Sequence, residues 1–163
     1  MLNWVGPNGR LLMDFVIPKD LEDFNRYGEE YLFGYLGMEF LKVEEDEVVA
    51  KIVLQQHHFG WNGYLHAGTI FSLADSCAGY GCVRSLPEGA AGFTTIETKT
   101  NFLSTVRRGS IQATATPLHR GRSTQVWDVS VSTLEARQLL SCYRCTQMIL
   151  WPKNDASSTE RAT

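Results

Sequence analysis

One acidic residue stands alone within a long apolar segment of this 163-residue chain. Between Ala67 and Val83, Asp75 is the only charged side chain, and the apolar and small residues around it recur at spacings of three and four, which predicts a buried helix. Burial of an unpaired carboxylate is costly, whereas a carboxylate at a solvent-lined cleft can stay ionised and act as a base or nucleophile. Asp75 is therefore either a structural side chain bonded to its neighbours or a catalytic group.

The predicted start of the same helix offers a second chemical group. His66, Ala67 and Gly68 follow a loop that contains Gly60 and Gly63, and the first N–H groups of a helix have no partner within it. The small residues at 67 and 68 allow a ligand carbonyl to approach the backbone closely. Such donors stabilise an oxyanion, and the loss of one typically costs about 2.7–4 kcal/mol of transition-state stabilisation in acyl transfer.

The spacing of these two groups favours a site between subunits. Ala67 and Asp75 are eight residues apart, which is about 12 Å along a helix and too far for both to act on one carbonyl group. In a symmetric dimer, the helix start of one copy can face the middle of the partner's helix, so that donor and carboxylate converge twice. We therefore expect a homodimer.

The elements that must position these groups are one long helix and six β-rich runs. Two runs before the helix, MEFLKVE and EVVAKIVLQ, are separated by the acidic turn Glu45-Asp46, which predicts a hairpin. Four runs follow the helix, and their joints are short enough for antiparallel neighbours. These runs are Phe93–Leu103, Ser110–Leu118, Thr124–Leu134 and Gln138–Trp151. A short amphipathic helix is predicted over Leu21–Phe33. One long helix against a six-stranded antiparallel sheet defines an α+β fold.

Length and charge narrow the class of protein. The chain fits one domain, expected at 21–151, with an N-terminal extension at 1–20 and a polar, disordered tail at 152–163. The 15 Lys and Arg against 18 Asp and Glu give a net charge of −3, so nucleic acid is not an expected partner. Neither a signal peptide nor a membrane span is predicted, and the chain is expected to be cytoplasmic.

The cysteines do not indicate a metal or redox centre. Cys142 and Cys145 are three residues apart in a predicted strand, so their side chains are expected on opposite faces of the sheet. No second pair of Cys or His at zinc-finger spacing occurs in the sequence. We therefore expect reduced thiols and no metal or other cofactor.

The chain resembles a known family, the hotdog-fold acyl-CoA thioesterases of the phenylacetic-acid-degradation type. The resemblance extends from about Tyr35 to Leu150, and its most specific part is GYLHAGTIFSLAD at 63–75, which is similar to the family motif G-x-x-H-[GA]-G with a carboxylate further along the helix. The segment TTIETKTNFLSTVRRG at 94–109 supports it. The resemblance implies a meander sheet wrapped around the helix, a dimer or dimer of dimers, and hydrolysis of an acyl-CoA thioester at the subunit interface.

The resemblance also implies roles for individual residues. Asp75 matches the catalytic carboxylate, which acts as nucleophile or as general base on water. The backbone N–H of Ala67, together with that of Gly68, matches the donor to the thioester carbonyl, supplied by the other subunit. Thr94, or Thr95 if the alignment shifts by one residue, matches a Ser or Thr that helps to place the water.

Two assignments stay open at this point. Members of the family often carry an Asn six residues before the His of the motif, but Gly60 occupies that position here and Asn62 is offset by two. Whether Asn62 substitutes is open. His66 is either a general base or a residue that holds the loop through hydrogen bonds.

Arginines near the predicted strand ends are candidates for binding the nucleotide phosphates of CoA through charge-assisted hydrogen bonds. Among them, Arg120 and Arg122 are favoured over Arg107 and Arg108.

A thioester hydrolase is the leading prediction, and two alternatives are kept beside it. One is a hotdog hydratase or dehydratase with His66 as the acid and base, and the other is a non-catalytic acyl-CoA-binding protein. The acyl group is not defined by the sequence, although Phe59, Trp61 and Tyr64 before the helix are candidates for lining an acyl pocket.

Overall fold

The structure, a computed structural model, describes residue 18 and residues 20–152 of the chain. The extension expected at 1–20 and the tail expected at 152–163 lie almost entirely outside these residues. The elements in chain order are α1 (Leu21–Gly28), α2 (Leu32–Tyr35), β1 (Met38–Val43), β2 (Val48–Val53), a 3₁₀ turn (Gln56–His58), α3 (Ala67–Arg84), β3 (Gly92–Phe102), β4 (Ser110–Arg120), β5 (Thr124–Thr133) and β6 (Leu139–Leu150). None of the described helices has both the length and the apolar character that a membrane crossing requires.

The six strands form one antiparallel sheet in the order β1-β2-β4-β5-β6-β3, with α3 packed on one face. Side chains that point toward α3 alternate with side chains that point away, as the period of a strand requires. On β5 four residues that share one face are buried: Gln125, Trp127, Val129 and Val131. On β6, Cys145 is buried and Cys142 is exposed, which confirms that they lie on opposite faces. The predicted α+β architecture is confirmed.

The connection between β3 and β4 differs from the prediction of adjacent strands. β3 pairs with β6 at an edge of the sheet, whereas β4 pairs with β2 and β5, so two strands separate β3 from β4. The segment 103–109 spans about 23 Å when extended, which exceeds the roughly 14 Å between strands three positions apart. The segment is therefore long enough to connect strands that are not neighbours. Its short length did not identify the strands with which β3 and β4 pair.

The helix predicted over Leu21–Phe33 is two helices, α1 and α2. α1 ends at Gly28, where a Cβ atom would lie 2.7 Å from the ring of Phe33. The turn that follows brings the ring of Phe33 against those of Phe40 and Tyr80, with centroid distances of 6.3 and 5.1 Å. Burial of these rings takes precedence over local helix propensity, which is a weak determinant in a short segment.

α3 approaches the sheet closely because it is rich in small residues. A Cβ atom on Gly81 would lie 2.5 Å from the indole of Trp127, which is fully buried on β5. The indole Nε1 donates to Oε1 of Gln125 at 2.9 Å, and the Gln125 amide donates to the carbonyl of Ser85, just after α3, at 2.9 Å. Only glycine allows this contact between helix and sheet.

The two edge strands of the sheet differ in how they are covered. On β1, the amide of Asn25 from α1 accepts from the N–H of Phe40 at 2.8 Å and donates to its carbonyl at 3.0 Å. β3 has no such cover among the described residues, and most of its side chains are exposed on both faces. Ile96 and Phe102 on β3 are 54% and 48% exposed. One edge is thus closed by the chain itself, and the other is open.

Candidate functional site

His66 caps the start of α3. Its backbone is extended, with φ −70° and ψ 134°, and its ring Nδ1 accepts a hydrogen bond from the N–H of Gly68 at 2.9 Å. Its carbonyl accepts from the N–H of Thr69 at 3.0 Å. In this hydrogen bond Nδ1 is the acceptor, so Nε2 is the ring nitrogen left to donate. This hydrogen bond fits the loop-holding alternative for His66.

Ala67 carries the available donor of the first helical turn. Its N–H donates to no group among residues 20–152, whereas the N–H groups of Gly68 and Thr69 are both bonded to His66. Ala67 is also exposed. Of the two N–H groups predicted as donors, that of Gly68 is bonded to the His66 cap and that of Ala67 has no partner among the described residues, and the donor role itself stays a prediction. The positive end of the helix dipole lies behind the Ala67 N–H.

The loop before α3 is organised by His58, a residue that sequence reasoning missed. His58 is 1% exposed, its Nδ1 accepts from the N–H of Gln55 at 2.8 Å, and its Nε2 lies 3.0 Å from the carbonyl of Leu36. Its own carbonyl accepts from the N–H of His66 and from the hydroxyl of Thr69, both at 3.0 Å. Burial lowers the pKa of His58, which keeps the ring neutral as these bonds require. His57 and His58 are adjacent in the sequence, and no local pattern indicates that His58 is the one that organises this loop.

Asn62 belongs to the turn of this loop. Its Oδ1 accepts from the N–H of Tyr64 at 3.2 Å, and its side chain is exposed. A Cβ atom on Gly60 would lie 2.9 Å from that same oxygen, so the glycine leaves room for the Asn62 side chain. Asn62 is thus bonded within its loop, and its substitution for the Asn of the family stays a prediction.

Asp75 lies half-buried in the middle of α3, and its carboxylate reaches β6. The hydroxyl of Tyr143 donates to its Oδ1 at 2.6 Å, while its Oδ2 accepts no hydrogen bond from the described residues. Tyr143 is 2% exposed, and burial, with the neighbouring Asp75 second, raises the pKa of this phenol. The phenol therefore stays protonated and acts as the donor. Tyr143 lies 68 residues away in the sequence, and no local pattern pointed to it.

β3 places Thr94 and Thr95 on opposite faces of the sheet. Thr94 pairs with the exposed Met148, and Thr95 pairs with the fully buried Gln147. Because cross-strand partners share a face, Thr95 lies on the side of α3 and Thr94 on the other side. The hydroxyl of Thr95 hydrogen-bonds Oε1 of Gln147 at 2.8 Å. Of the two threonines considered, Thr95 is therefore the one whose side chain lies on the same face of the sheet as α3, the helix that carries Asp75.

The favoured arginines are engaged away from the start of α3. The guanidinium of Arg120 donates to the carbonyl of Glu45 at 3.0 Å and lies 3.8 Å from its carboxylate. The guanidinium of Arg122 lies 4.4 Å from the ring centroid of Trp151. Both residues lie near the end of β4, which is the opposite end of that strand from the β3–β4 connection.

Arg107 is the arginine that lies beside the helix start. Its guanidinium lies 4.6 Å from the ring centroid of Tyr64, in the loop that leads into α3. The carbonyl of the preceding residue, Val106, accepts from the N–H of Leu65 at 3.2 Å. A positive charge is thereby held on the loop that leads into α3, and sequence reasoning had ranked Arg107 below Arg120.

Within one chain, donor and acid remain apart. α3 is a continuous helix of 18 residues, so the rise per residue separates Ala67 from Asp75 by about 12 Å. The aromatic residues considered for an acyl pocket differ in position, because Trp61 is fully exposed whereas Phe59 is half-buried against the core. The described chain therefore presents the N–H of Ala67 and the carboxylate of Asp75 at two separate points of one helix.

Comparisons with known proteins define the class. Residues 62–139 match the thioesterase superfamily. A 1,4-dihydroxy-2-naphthoyl-CoA hydrolase of Listeria monocytogenes is 33% identical over 111 residues, which cover 68% of this chain and 89% of that protein. A 1,4-dihydroxy-2-naphthoyl-CoA hydrolase of Escherichia coli is 30% identical over 133 residues, which cover 80% and 94%. The crystal structure of a thioesterase of Haemophilus influenzae has a TM-score of 0.77 at 27% identity and covers 85% of this chain and 95% of that one.

The six-stranded sheet with its long helix is the hotdog thioesterase fold. The chain belongs to the thioesterase superfamily and is a thioester hydrolase, as its helix motif predicted. Its assignment to the phenylacetic-acid-degradation type stays a prediction.

Proposed function

We propose that this protein hydrolyses the thioester of an acyl-CoA to a free acid and coenzyme A, at a site shared by two copies of the chain. Asp75 of one copy acts as nucleophile or as general base on water, and the N–H of Ala67 of the other copy donates to the carbonyl oxygen. The relatives named 1,4-dihydroxy-2-naphthoyl-CoA hydrolase support a CoA thioester as the substrate class.

The observation that carries the proposal is the separation of two available groups on one helix. Among the described residues, the N–H of Ala67 and the Oδ2 of Asp75 have no hydrogen-bond partner, and about 12 Å of helix lies between them. One carbonyl group cannot reach both within a single chain. A twofold axis that sets two α3 helices side by side supplies both groups to each substrate.

The open edge of the sheet supports this assembly. An exposed edge strand with apolar side chains is a template for pairing with another chain, and β3 has that character over its 11 residues. Ile96, Phe102 and Leu103, which follows the strand, are about half exposed or more. Pairing of two copies through β3 would join the two sheets and place the two α3 helices on the same side of the joined sheet.

In the general-base route, Asp75 takes a proton from water as the water oxygen attacks the thioester carbon. The carbonyl electrons move onto oxygen, and the partner's Ala67 N–H, at the positive end of a helix, stabilises the charge that develops there. Collapse of this intermediate breaks the C–S bond, and the proton held by Asp75 passes to the thiolate of coenzyme A. In the nucleophilic route, Asp75 attacks the thioester carbon and the C–S bond breaks, so that an anhydride forms and coenzyme A leaves as its thiolate. Water then hydrolyses the anhydride, which restores the Asp75 carboxylate, releases the free acid and supplies the proton that the thiolate takes up.

Other residues have supporting roles in the proposal. His66 fixes the helix start through Gly68, and Thr95 is the hydroxyl on the face of the sheet toward α3. Arg107 is the best placed of the arginines for the phosphates of CoA, since it lies beside the helix start on Tyr64. The proposal assigns no metal or other cofactor, and coenzyme A enters as part of the substrate.

A thiol-release assay tests the reaction. The purified protein is incubated with benzoyl-, phenylacetyl-, hexanoyl- and palmitoyl-CoA, and free thiol and free acid are measured together. Release of both in equal amounts supports the proposal. Hydration of crotonyl-CoA without thiol release would instead favour the hydratase alternative, and tight binding without turnover across the panel would favour a binding protein.

The shared site is tested by mixing two inactive variants. Ala67→Pro removes the N–H at a position where proline is well tolerated, because His66 before it is already extended. Asp75→Asn removes the acid. In a mixed dimer, one of the two sites combines an intact Ala67 with an intact Asp75, so an equal mixture regains about a quarter of the wild-type rate.

The two outcomes of the mixing experiment are opposite. If donor and acid came from the same chain, neither site of a mixed dimer would be intact, and the mixture would stay as inactive as its components. Recovery therefore requires the shared arrangement. Each variant alone is first shown to keep the wild-type melting temperature, so that the loss reflects chemistry.

A further inference from the structure

The contact between Asp75 and Tyr143 joins two elements that the fold brings together from distant parts of the chain. Asp75 lies in the middle of α3, and Tyr143 lies on β6. The phenol oxygen is 2.6 Å from Oδ1 of the carboxylate, which is a short distance typical of a hydrogen bond to an ionised acceptor. Oδ2 accepts no hydrogen bond from the described residues. The two oxygens of the carboxylate are therefore not equivalent.

The phenol is held in place from several sides. The backbone of Tyr143 pairs with Val129 of β5 and with Thr100 of β3, so it sits inside the ladder and not at an edge. Phe71, one helical turn before Asp75, packs against the Tyr143 ring at a centroid distance of 5.5 Å and an angle of 78°. This edge-to-face contact fixes the ring in the direction of the carboxylate.

The face of the sheet around Tyr143 is polar where a packed core would be apolar. Thr100 lies beside Tyr143 on the neighbouring strand, and Ser141 lies two residues away on the same face of β6. Both hydroxyl oxygens are buried and lack a hydrogen-bond partner among the described residues. Buried hydroxyls without partners are rare in a core whose only task is packing. The buried Gln125 and Gln147 elsewhere on this face do have hydrogen-bond partners, so the two unpartnered hydroxyls distinguish the surroundings of Tyr143.

We infer that Tyr143 is a positioning residue for the hydrolysis: its hydroxyl occupies Oδ1 of Asp75, fixes the plane of the carboxylate and leaves Oδ2 as the oxygen that reacts. This inference rests on the proposed role of Asp75 as base or nucleophile. Tyr143 acts through Asp75 and does not itself contact the substrate.

A purely structural role for the same hydrogen bond makes a different prediction. A bond that only ties α3 to the sheet would, when removed, lower the melting temperature and leave the turnover number and its pH dependence unchanged. A bond that positions the reacting oxygen would lower the turnover number and leave KM close to wild type, because the carboxylate loses the contact that fixes its plane.

The experiment compares three variants of the full chain in the thiol-release assay, with whichever CoA ester of the panel turns over fastest. Tyr143→Phe deletes the hydroxyl and keeps the ring. Tyr80→Phe is the matched control, since Tyr80 is another largely enclosed tyrosine, and its hydroxyl lies 3.4 Å from the carbonyl of Phe24, away from Asp75. Asp75→Asn reports on the acid itself. Turnover number, KM and the pH–rate profile are measured for each.

The expected result is a fall of about ten- to a hundredfold in the turnover number of Tyr143→Phe, the size expected for a hydrogen bond to a charged group. Its KM stays within about twofold of wild type, since only the reacting carboxylate is affected. Tyr80→Phe matches wild type in all three quantities.

Wild-type turnover and an unchanged pH profile in Tyr143→Phe, with Asp75→Asn inactive, would overturn the inference and leave the proposed function standing. Full activity in Asp75→Asn would overturn both. If Tyr143→Phe fails to fold, Phe71→Leu provides the second test, because it keeps the hydroxyl and frees the ring. A smaller fall in turnover with KM close to wild type supports the inference, and wild-type kinetics in Phe71→Leu contradict it.

Discussion

The two edges of the sheet show opposite solutions to the same problem. An edge strand leaves one row of N–H and C=O groups unpaired, and proteins must cover or occupy it. At β1, the chain covers its own edge with α1, whose Asn25 binds both backbone groups of Phe40. At β3, an 11-residue strand stays exposed on both faces, directly beside the strand that carries Tyr143.

The comparison separates an edge that the chain covers with its own residues, β1, from an edge that we propose a second copy covers, β3. The covered edge is completed within one chain and contributes to stability. The proposed site needs Ala67 of one copy and Asp75 of another, and β3 is the open edge at which two copies can pair. We therefore infer that pairing at β3 and assembly of the proposed site occur together. Perturbations at the two edges should therefore separate stability from activity.

The largest expected effect lies on the open side, at the acid. Asp75→Asn removes the base or nucleophile while keeping the shape of the side chain, and we expect the turnover number to fall by about 10²–10⁴. The melting temperature should change little, because the amide can still accept from Tyr143. Thiol release from acyl-CoA measures the first quantity and thermal denaturation the second. Activity equal to wild type in a pure preparation would remove Asp75 from the mechanism.

The next effect compares the edges directly. Ile96 and Leu41 are exposed aliphatic side chains at the bulges of β3 and β1, respectively. Ile96→Lys should raise the dissociation constant of the dimer by about a hundredfold, since a twofold interface would contain the charge twice. Leu41→Lys should leave it unchanged.

Sedimentation across a range of protein concentrations measures both dissociation constants. The activity of Ile96→Lys should return as its concentration rises and the dimer re-forms. Equal behaviour of the two lysine variants would contradict the distinction between the edges.

A smaller effect is expected on the covered side. Asn25→Ala removes the two hydrogen bonds to Phe40 and leaves its backbone groups exposed to water, so the free energy of unfolding should fall by about 1–2 kcal/mol. Urea denaturation measures this loss. Oligomeric state and turnover number should stay at wild-type values, and a loss of activity larger than the loss of folded protein would argue against the separation of the two edges.

The smallest effect concerns His58, which connects the two regions by bonding Leu36 before β1 and His66 before α3. Burial, and next to it the neighbouring His57, lowers the pKa of His58 in the folded chain below its ordinary value of 6.5. As the pH falls below that value, His58 binds a proton more readily in the unfolded chain than in the folded chain, so the folded state loses stability.

The expected loss between pH 7.5 and 5.5 is on the order of 1 kcal/mol or less. Thermal denaturation at the two pH values measures it in wild type and in His58→Gln, which cannot titrate. The difference between the two pH values should be smaller in the variant. The same difference in both proteins would assign the pH dependence to other groups.

Local pattern was sufficient for the parts of the molecule whose neighbours lie close in sequence. The predicted helix over 67–84 and all six strands were confirmed, because small apolar residues at helical spacing and alternating strands bury one continuous face. The motif around His66 also identified the family. In contrast, the pairing of β3 with β6 depends on a contact between distant segments, and the short joint at 107–109 suggested the wrong neighbour.

The site was predictable only in part for the same reason. Asp75 and Ala67 stand out by type and spacing, and both remain candidates. Tyr143, His58 and the side of the sheet that Thr95 faces follow from tertiary contacts and strand register, which no local pattern contains. The break after Gly28 likewise results from aromatic rings that meet across elements.

The glycine at position 81 has a consequence for tolerance to change. Gly81 lies six residues beyond Asp75, roughly 9 Å along the same helix, and rests on an indole that leaves no room for a methyl group. Because a helix is stiff, a side chain at Gly81 that pushed α3 away from the sheet would also move the middle of the helix. Even a single methyl group there would therefore change the distance between the carboxylate of Asp75 and the hydroxyl of Tyr143.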